Sequence, residues 1–141
     1  DEILLLGWAN DTSVRNNSFS REKISAVCHH KWFSAGLKNS NRLHCIAVNE
    51  DNCPVGQIRF DRRKKNIEID FSLDPAIRGR GIGPELLKTG LGYLKNKWGS
   101  GYNVIGNVLI NNIASSKSFQ RSGFSKIDSI DSTFHTWHFT L

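Results

Sequence analysis

Methionine is missing altogether from the 141 residues, so no initiator is present. The sequence is therefore expected to be a trimmed chain or a domain cut from a longer one. Cysteine is scarce: Cys28, Cys45 and Cys53 make an odd count without metal-ligand spacing. That argues against a disulfide framework and against a bound metal, and for free thiols in a reducing cytoplasm. No apolar run approaches the roughly 18 residues that cross a bilayer. The start is acidic (Asp1, Glu2), unlike a secretory signal. Repeats, low-complexity stretches and linkers are also lacking, so residues 1–141 read as one domain. A chain of that length buries roughly 68–70% of its unfolded surface, enough for a real core.

What is present is a basic excess. The net charge is +6, with 38% hydrophobic and 23% charged residues. The proportions are those of a soluble globular protein, and the charge favours phosphate-bearing ligands. The densest cluster, Arg62-Arg63-Lys64-Lys65, lies between two strand-like runs and reads as a solvated hairpin turn. No aromatics are interleaved with it, which argues against nucleic-acid binding.

Hydrophobic spacing orders the chain. Residues 1–8 are dense in Ile and Leu and read as a short buried helix with Asp1 as its cap. Asn10-Asp11-Thr12-Ser13 reads as a turn. Ser20 is the expected cap of a second helix, whose Ile24, Val27, Cys28 and Trp32 fall near one stripe and which Gly36 and Asn39 end. Strands follow over 43–48, 55–61 and 66–73, with Asp51 to Pro54 as the first turn. In the third strand Ile67, Ile69 and Phe71 share one face, and Glu68, Asp70 and Ser72 the other. Residues 85–98 carry Leu86, Leu87, Leu91 and Leu94 at helical spacing. A strand over 103–110, a helix over 113–121 stopped by Gly123, and strands over 124–130 and 133–141 complete the order ααβββαβαββ. The class is mixed α/β.

Arg78-Gly79-Arg80-Gly81-Ile82-Gly83 joins a strand to a helix. Backbone N–H groups in such a turn converge, and the next helix adds its positive end, so the segment suits an anion. Glycine lets that anion approach closely. The Gly-Lys-Ser/Thr of a P-loop is missing, and the spacing G-x-G-x-G is not the dinucleotide G-x-G-x-x-G.

Arg-x-x-Gly-x-Gly after Leu73-Asp74-Pro75, followed by Asn112-x-x-Ser115-x-x-x-Phe119-x-x-x-Gly123-Phe124, resembles the paired motifs of the GNAT superfamily of N-acetyltransferases. The resemblance covers the whole chain. It implies a mostly antiparallel sheet flanked by helices and splayed between residues 66–73 and 103–110, with acetyl-CoA in the gap. It implies backbone bonds from Leu73 to the pantetheine arm. The cradle for the pyrophosphate would be Arg78, Gly79, Arg80, Gly81, Ile82 and Gly83, with Asn112, Ser115 and Phe119 on the next helix. Pro84 departs from the pattern; it suits a first helical position but removes one N–H. Members usually open on a strand, and here that first strand is expected to be missing.

Acetyl transfer to an amine needs a proton acceptor, stabilisation of the thioester oxygen and a leaving thiolate. The family often places a Tyr acid where Phe119 stands and a Glu where Asn107 stands. Phe119 cannot donate a proton; Asn107 can hold a water. The remaining candidate bases are His29, ranked first because it titrates near neutrality, then Glu68, with Asp70 beside it. The acidic face has a plainer explanation in pairing with Arg59 or Lys65.

Trp8-x-Asn10-Asp11-x-x-x-Arg15-x-x-Ser18-Phe19, His29-x-x-Trp32-Phe33 and Val55-Gly56-Gln57-Ile58-Arg59-Phe60-Asp61 resemble acetyltransferases of pseudaminic and legionaminic acid biosynthesis. The resemblance implies an acceptor, a UDP-amino sugar, held by Trp8, Asn10, Arg15 and Trp32, and a fusion with a sugar-nucleotide pathway enzyme. Two alternatives stay open at this point: a ribosomal-protein type of N-terminal acetyltransferase, and a non-catalytic acyl-CoA-binding module.

Overall fold

The computed structural model describes residues 1–128 and 131–141. Three helices come first: α1 (Glu2–Ala9), α2 (Thr12–Asn16) and α3 (Ala26–Leu37). Strands β1 (Arg42–Val48), β2 (Pro54–Arg63) and β3 (Asn66–Leu73) follow, then a single 3-10 turn (Pro75–Ile77) and α4 (Ile82–Trp98). β4 (Asn103–Leu109), α5 (Ile113–Arg121), β5 (Ser125–Ile127) and β6 (Phe134–Thr140) complete the chain. The six strands form one sheet in the order β1-β2-β3-β4-β6-β5. All neighbours are antiparallel except β3 and β4, which α4 links as a crossover.

The expected third-strand alternation holds: Ile67 and Ile69 are buried, whereas Glu68 and Asp70 are exposed. The leucine spacing of α4 also holds. Leu86, Leu87, Leu91 and Leu94 pack on Ile58, Phe60, Ile67, Ile69 and Val104 in one core with Phe119, Phe124 and Trp137. Burying each such side chain contributes about 1.5–3 kcal/mol. α4 lies close to the sheet because position 90 is glycine; a Cβ there would come within 2.5 Å of Ile58 Cδ1.

The N-terminal region departs from expectation in three ways. There are three helices rather than two, because the segment read as a turn starts α2; the Asp11 carboxylate caps it, accepting from Val14 N at 3.2 Å. α3 begins at Ala26 under a Ser25 cap, which accepts from Cys28 N at 3.2 Å, and not under Ser20. The intervening chain is held as coil by side chains: Asn10 bonds both the N–H and the C=O of Ile24 at 2.8 Å, and Arg15 donates to the carbonyls of Ser20 and Glu22. Consequently Val27 is 66% exposed and the buried face of α3 turns on His29. Asp1 occupies the cap position of α1 without a side-chain bond. Of the strand expected over 124–130, Ser125–Ile127 is formed and residues 129–130 lie outside the described residues.

Candidate active site

The parallel ladder between β3 and β4 is short. Its pairs are Asn66–Asn103, Ile67–Val104 and Glu68–Ile105. Beyond them both strands continue, to Leu73 and Leu109, with no rung between them among the described residues. Two strand edges therefore face each other across a wedge, and their backbone donors and acceptors need partners. Phe119 packs on the core side of this wedge. Its ring is 2% exposed, meets Phe71 edge-on at 5.6 Å between centroids, and fills the space left by the absent side chain of Gly106.

The open end of the wedge leads into the glycine turn. Gly79 and Gly81 adopt left-handed φ values of 76° and 75°, and Gly81 is the N-cap of α4. Nothing lies within 4 Å of a Cβ built on either. The turn thus needs glycine for its conformation, and the space above it is open. The first N–H groups of α4 have no carbonyl partners within the helix. Gly83 has a different reason to be glycine: a side chain there would overlap Ser118 of α5. Pro84 is the third helical residue rather than the first, and its carbonyl lies 3.4 Å from Ser122 Oγ, whose hydrogen goes to the Ser118 carbonyl at 2.5 Å. The close fit of Gly83 against Ser118 keeps α5 beside the turn. Asn112 caps α5, its side-chain oxygen accepting from Ser115 N at 3.2 Å.

Arg78 faces inward and Arg80 outward. Arg78 Nε donates to the Leu73 carbonyl at 3.0 Å, and Nη1 meets Asp11 Oδ1 at 2.6 Å. This hydrogen bond holds the Asp11 carboxyl below the usual carboxylate range, against the opposing effect of its burial. Arg78 therefore ties the turn to α2 and to the end of β3, and it occupies one lone pair of the Leu73 carbonyl expected to serve a ligand.

The face of β1–β3 opposite the core carries the remaining chemistry. Cross-strand register aligns Arg42 with Asp61, His44 with Arg59 and Asp70, and Gln57 with Ser72. Arg42 and Arg59 both bind Asp61, at 2.5 and 2.9 Å, and both guanidinium groups lie on the Trp32 ring, 5.2 and 5.3 Å from its centroid. Arg59 reaches Asp70 at 3.8 Å; Glu68 pairs with Arg63 at 3.7 Å rather than with Lys65. Asp70 and Glu68 nevertheless remain 55% and 53% exposed at their side chains. His44 lies edge-on to Trp32 at 5.6 Å, and its Nε2 is 2.8 Å from Gln57 Oε1. Burial lowers its pKa, partly offset by the Gln57 bond.

Several expected site residues have other work. His29 is 3% exposed, with Phe33 stacked at 6.2 Å and Trp32 at 5.4 Å. Its Nδ1 is buried without a partner and burial pushes its pKa down, so the structure makes it a packed residue of α3, shut off from solvent. Trp8 is buried and donates through Nε1 to Asp74 at 2.8 Å. Asn10 is engaged with Ile24, and Arg15 spends Nε on the Ala9 carbonyl at 2.6 Å and Nη2 on Ser18 Oγ at 3.2 Å, besides the two carbonyls given above. All three hold the N-terminal segment together; of the expected acceptor residues, Trp32 alone lies on the polar sheet face. Glu68 falls where the ladder is still closed, whereas Asp70 and Ser72 lie beside the wedge. The sequence does not single out His44, and it shows Gln57 only within the Val55–Asp61 motif; the alternation Gln57, Arg59, Asp61 marks a polar face of β2 but not the partners on it.

The description of one family, Acetyltransferase (GNAT) family, fits residues 8–124. The chain belongs to this family. Among curated proteins no sequence matches it significantly. The GNAT domain is similar to a domain from Methanocaldococcus jannaschii (24% identity, TM-score 0.84, covering 100% of this chain and 92% of that one). It is also similar to spermidine N-acetyltransferase from Vibrio cholerae in complex with CoA and spermine (11%, 0.86, 99% and 89%). A third similar structure is aminoglycoside acetyltransferase AAC(6')-Ib in complex with coenzyme A (14%, 0.80, 99% and 89%). The mixed sheet with flanking helices is thus the GNAT fold. No helix among the described residues is long and apolar enough to cross a membrane.

Proposed function

We propose that this GNAT domain transfers acetyl from acetyl-CoA to the primary amine of a small amino sugar in the cytoplasm. The observation that carries the reading is the break in the β3–β4 ladder, opening directly onto the left-handed glycine turn at the start of α4. A ligand with amides along an extended arm and a diphosphate at its end matches that pair of features. Strand edges pair with amides as they would with another strand, and converging N–H groups at a helix start hold phosphate. When bound, acetyl-CoA supplies the acetyl thioester whose thiolate departs as the amide forms.

The chain's own part follows from its residues. Backbone groups of β3 near Leu73 and of β4 hold the arm, N–H groups from Gly79 to Gly83 hold the diphosphate, and Asn112 and Ser115 flank it from α5. The acceptor ammonium loses one proton before attack and the amine a second as the amide forms; Phe119 returns none to the thiolate, which leaves unassisted or with a water's proton. The exposed carboxylate of Asp70, beside an Arg59 already paired with Asp61, favours a cationic amine. That balance agrees with the amine substrates in the names of the spermidine and aminoglycoside enzymes. Arg15 is engaged with backbone carbonyls, so the reading rests on the sugar amine more than on a linked UDP.

The test is thiol release from acetyl-CoA with UDP-amino sugars, free hexosamines, polyamines, aminoglycosides and peptides. Release with amino sugars supports the proposal. Release with peptides alone would make this an N-terminal acetyltransferase, and tight CoA binding without release would leave an acyl-CoA-binding module.

A further inference from the structure

Gln57 is a polar residue in an unusual place. It is 9% exposed, on the central strand of the β1–β3 half of the sheet, with every side-chain polar atom engaged. Its Nε2 donates to Asp70 Oδ2 at 3.4 Å and to Ser72 Oγ at 3.3 Å, and its Oε1 is 2.8 Å from His44 Nε2. The orientation of the amide follows from chemistry. A carboxylate only accepts, so the nitrogen of Gln57 must face Asp70, and its oxygen must face His44. His44 Nε2 must then carry the hydrogen.

The chain His44→Gln57→Asp70/Ser72 has a defined output. Gln57 and Arg59 both approach Oδ2 of Asp70, leaving Oδ1 without a partner among the described residues. Ser72 Oγ accepts from Gln57, so its own hydrogen is free to donate. Asp70 and Ser72 point to the same side of β3, two residues apart, in the stretch where β3 has left β4. The edge of the wedge therefore presents one charged acceptor and one donor, held at a fixed spacing by a buried amide.

We propose that Asp70 and Ser72 together recognise a vicinal amino alcohol, Asp70 Oδ1 taking the ammonium and Ser72 the neighbouring hydroxyl oxygen, and that His44 and Gln57 are the positioning residues that hold this pattern. The assignment rests on the acetyl-transfer reading and narrows its acceptor class. Asp70 also receives the first proton: the ammonium N–H bond breaks, the hydrogen passes to the carboxylate and on to water, the freed lone pair forms the new C–N bond as the thioester C–S bond breaks and the thiolate departs, and the second N–H hydrogen leaves to water as the amide forms.

The experiment compares trans-2-aminocyclohexanol with cyclohexylamine at saturating acetyl-CoA, following thiol release. Wild type should favour the amino alcohol in kcat/KM by about tenfold, a discrimination a single well-made hydrogen bond supplies. In Ser72→Ala the ratio should fall to about two or less. His44→Leu should lose the preference and raise KM for the amine, with KM for acetyl-CoA unchanged. His44→Gln, which keeps a donor for Gln57, should retain the preference; a packing role alone would favour Leu, and circular dichroism checks that each variant is folded. Equal use of both amines by wild type, or a preference that survives in both Ser72→Ala and His44→Leu, overturns the assignment while leaving acetyl transfer standing. Failure to acetylate any amine overturns both.

Discussion

The ring of Phe119 occupies the space of the side chain that Gly106 does not have. A Cβ at position 106 would overlap the ring's Cζ, its para carbon. The strand β4 and the helix α5 are thus fitted to each other at the base of the wedge, with Phe71, Phe124 and Trp137 closing the other sides of the ring.

Gly106→Ala is therefore expected to lower stability by about 1–3 kcal/mol, the usual cost of overpacking. Chemical denaturation followed by tryptophan fluorescence measures it. Phe119→Leu in the same chain should recover part of the loss. Phe119→Tyr should be destabilising too, since its hydroxyl would be driven toward the Gly106 backbone. It should not raise the turnover of acetyl transfer; a faster enzyme would show that the ring can swing toward the thiolate.

Arg15 separates a fastening role from a binding role. Arg15→Ala removes donors from the carbonyls of Ala9, Ser20 and Glu22 and from Ser18 Oγ. Stability should fall by about 1.5–3 kcal/mol, as for loss of charged hydrogen bonds. KM for acetyl-CoA should stay the same. Unchanged stability with a raised acceptor KM would return Arg15 to the substrate site.

Gly79→Ala and Gly81→Ala carry no steric clash, so their cost is conformational. Each should destabilise by about 1–2 kcal/mol, the penalty of left-handed backbone for a residue with a Cβ. Each should also raise KM for acetyl-CoA, because straightening the turn disperses the N–H groups. Gly83→Ala should act differently, loosening the α4–α5 contact at Ser118.

Acid should unfold the domain through its buried imidazoles. Burial lowers the pKa of both His29 and His44. A histidine that binds its proton more readily when unfolded gives stability that is complete above its unfolded value and is lost as pH falls. The melting temperature should drop between about pH 7 and pH 5. His29→Phe, which can stack on Phe33, should make that slope shallower; an unaltered slope would mean that His29 does not stay neutral on folding.

Periodic and local features are legible in the sequence itself. The alternation of Ile67, Ile69 and Phe71 and the spacing of Leu86, Leu87, Leu91 and Leu94 state which face is buried, and the glycine turn declares its own backbone. Ser20 and Ser25 are equally good helix caps by residue type. The choice between them is made by Asn10 and Arg15, which bond to the intervening coil from 5 to 14 residues away. His29 sits well within a helix in either reading, but its burial depends on where that helix starts. Gln57 and His44 need the register of three strands at once, which composition and spacing do not provide.

Among the described residues, the two leaves of the sheet share only three backbone rungs. An arm lying in the wedge would supply the rungs the protein omits, so the donor would serve as a removable keystone as well as a reagent. Rigidity would then track supply, since whatever binds only the folded form stabilises it by mass action.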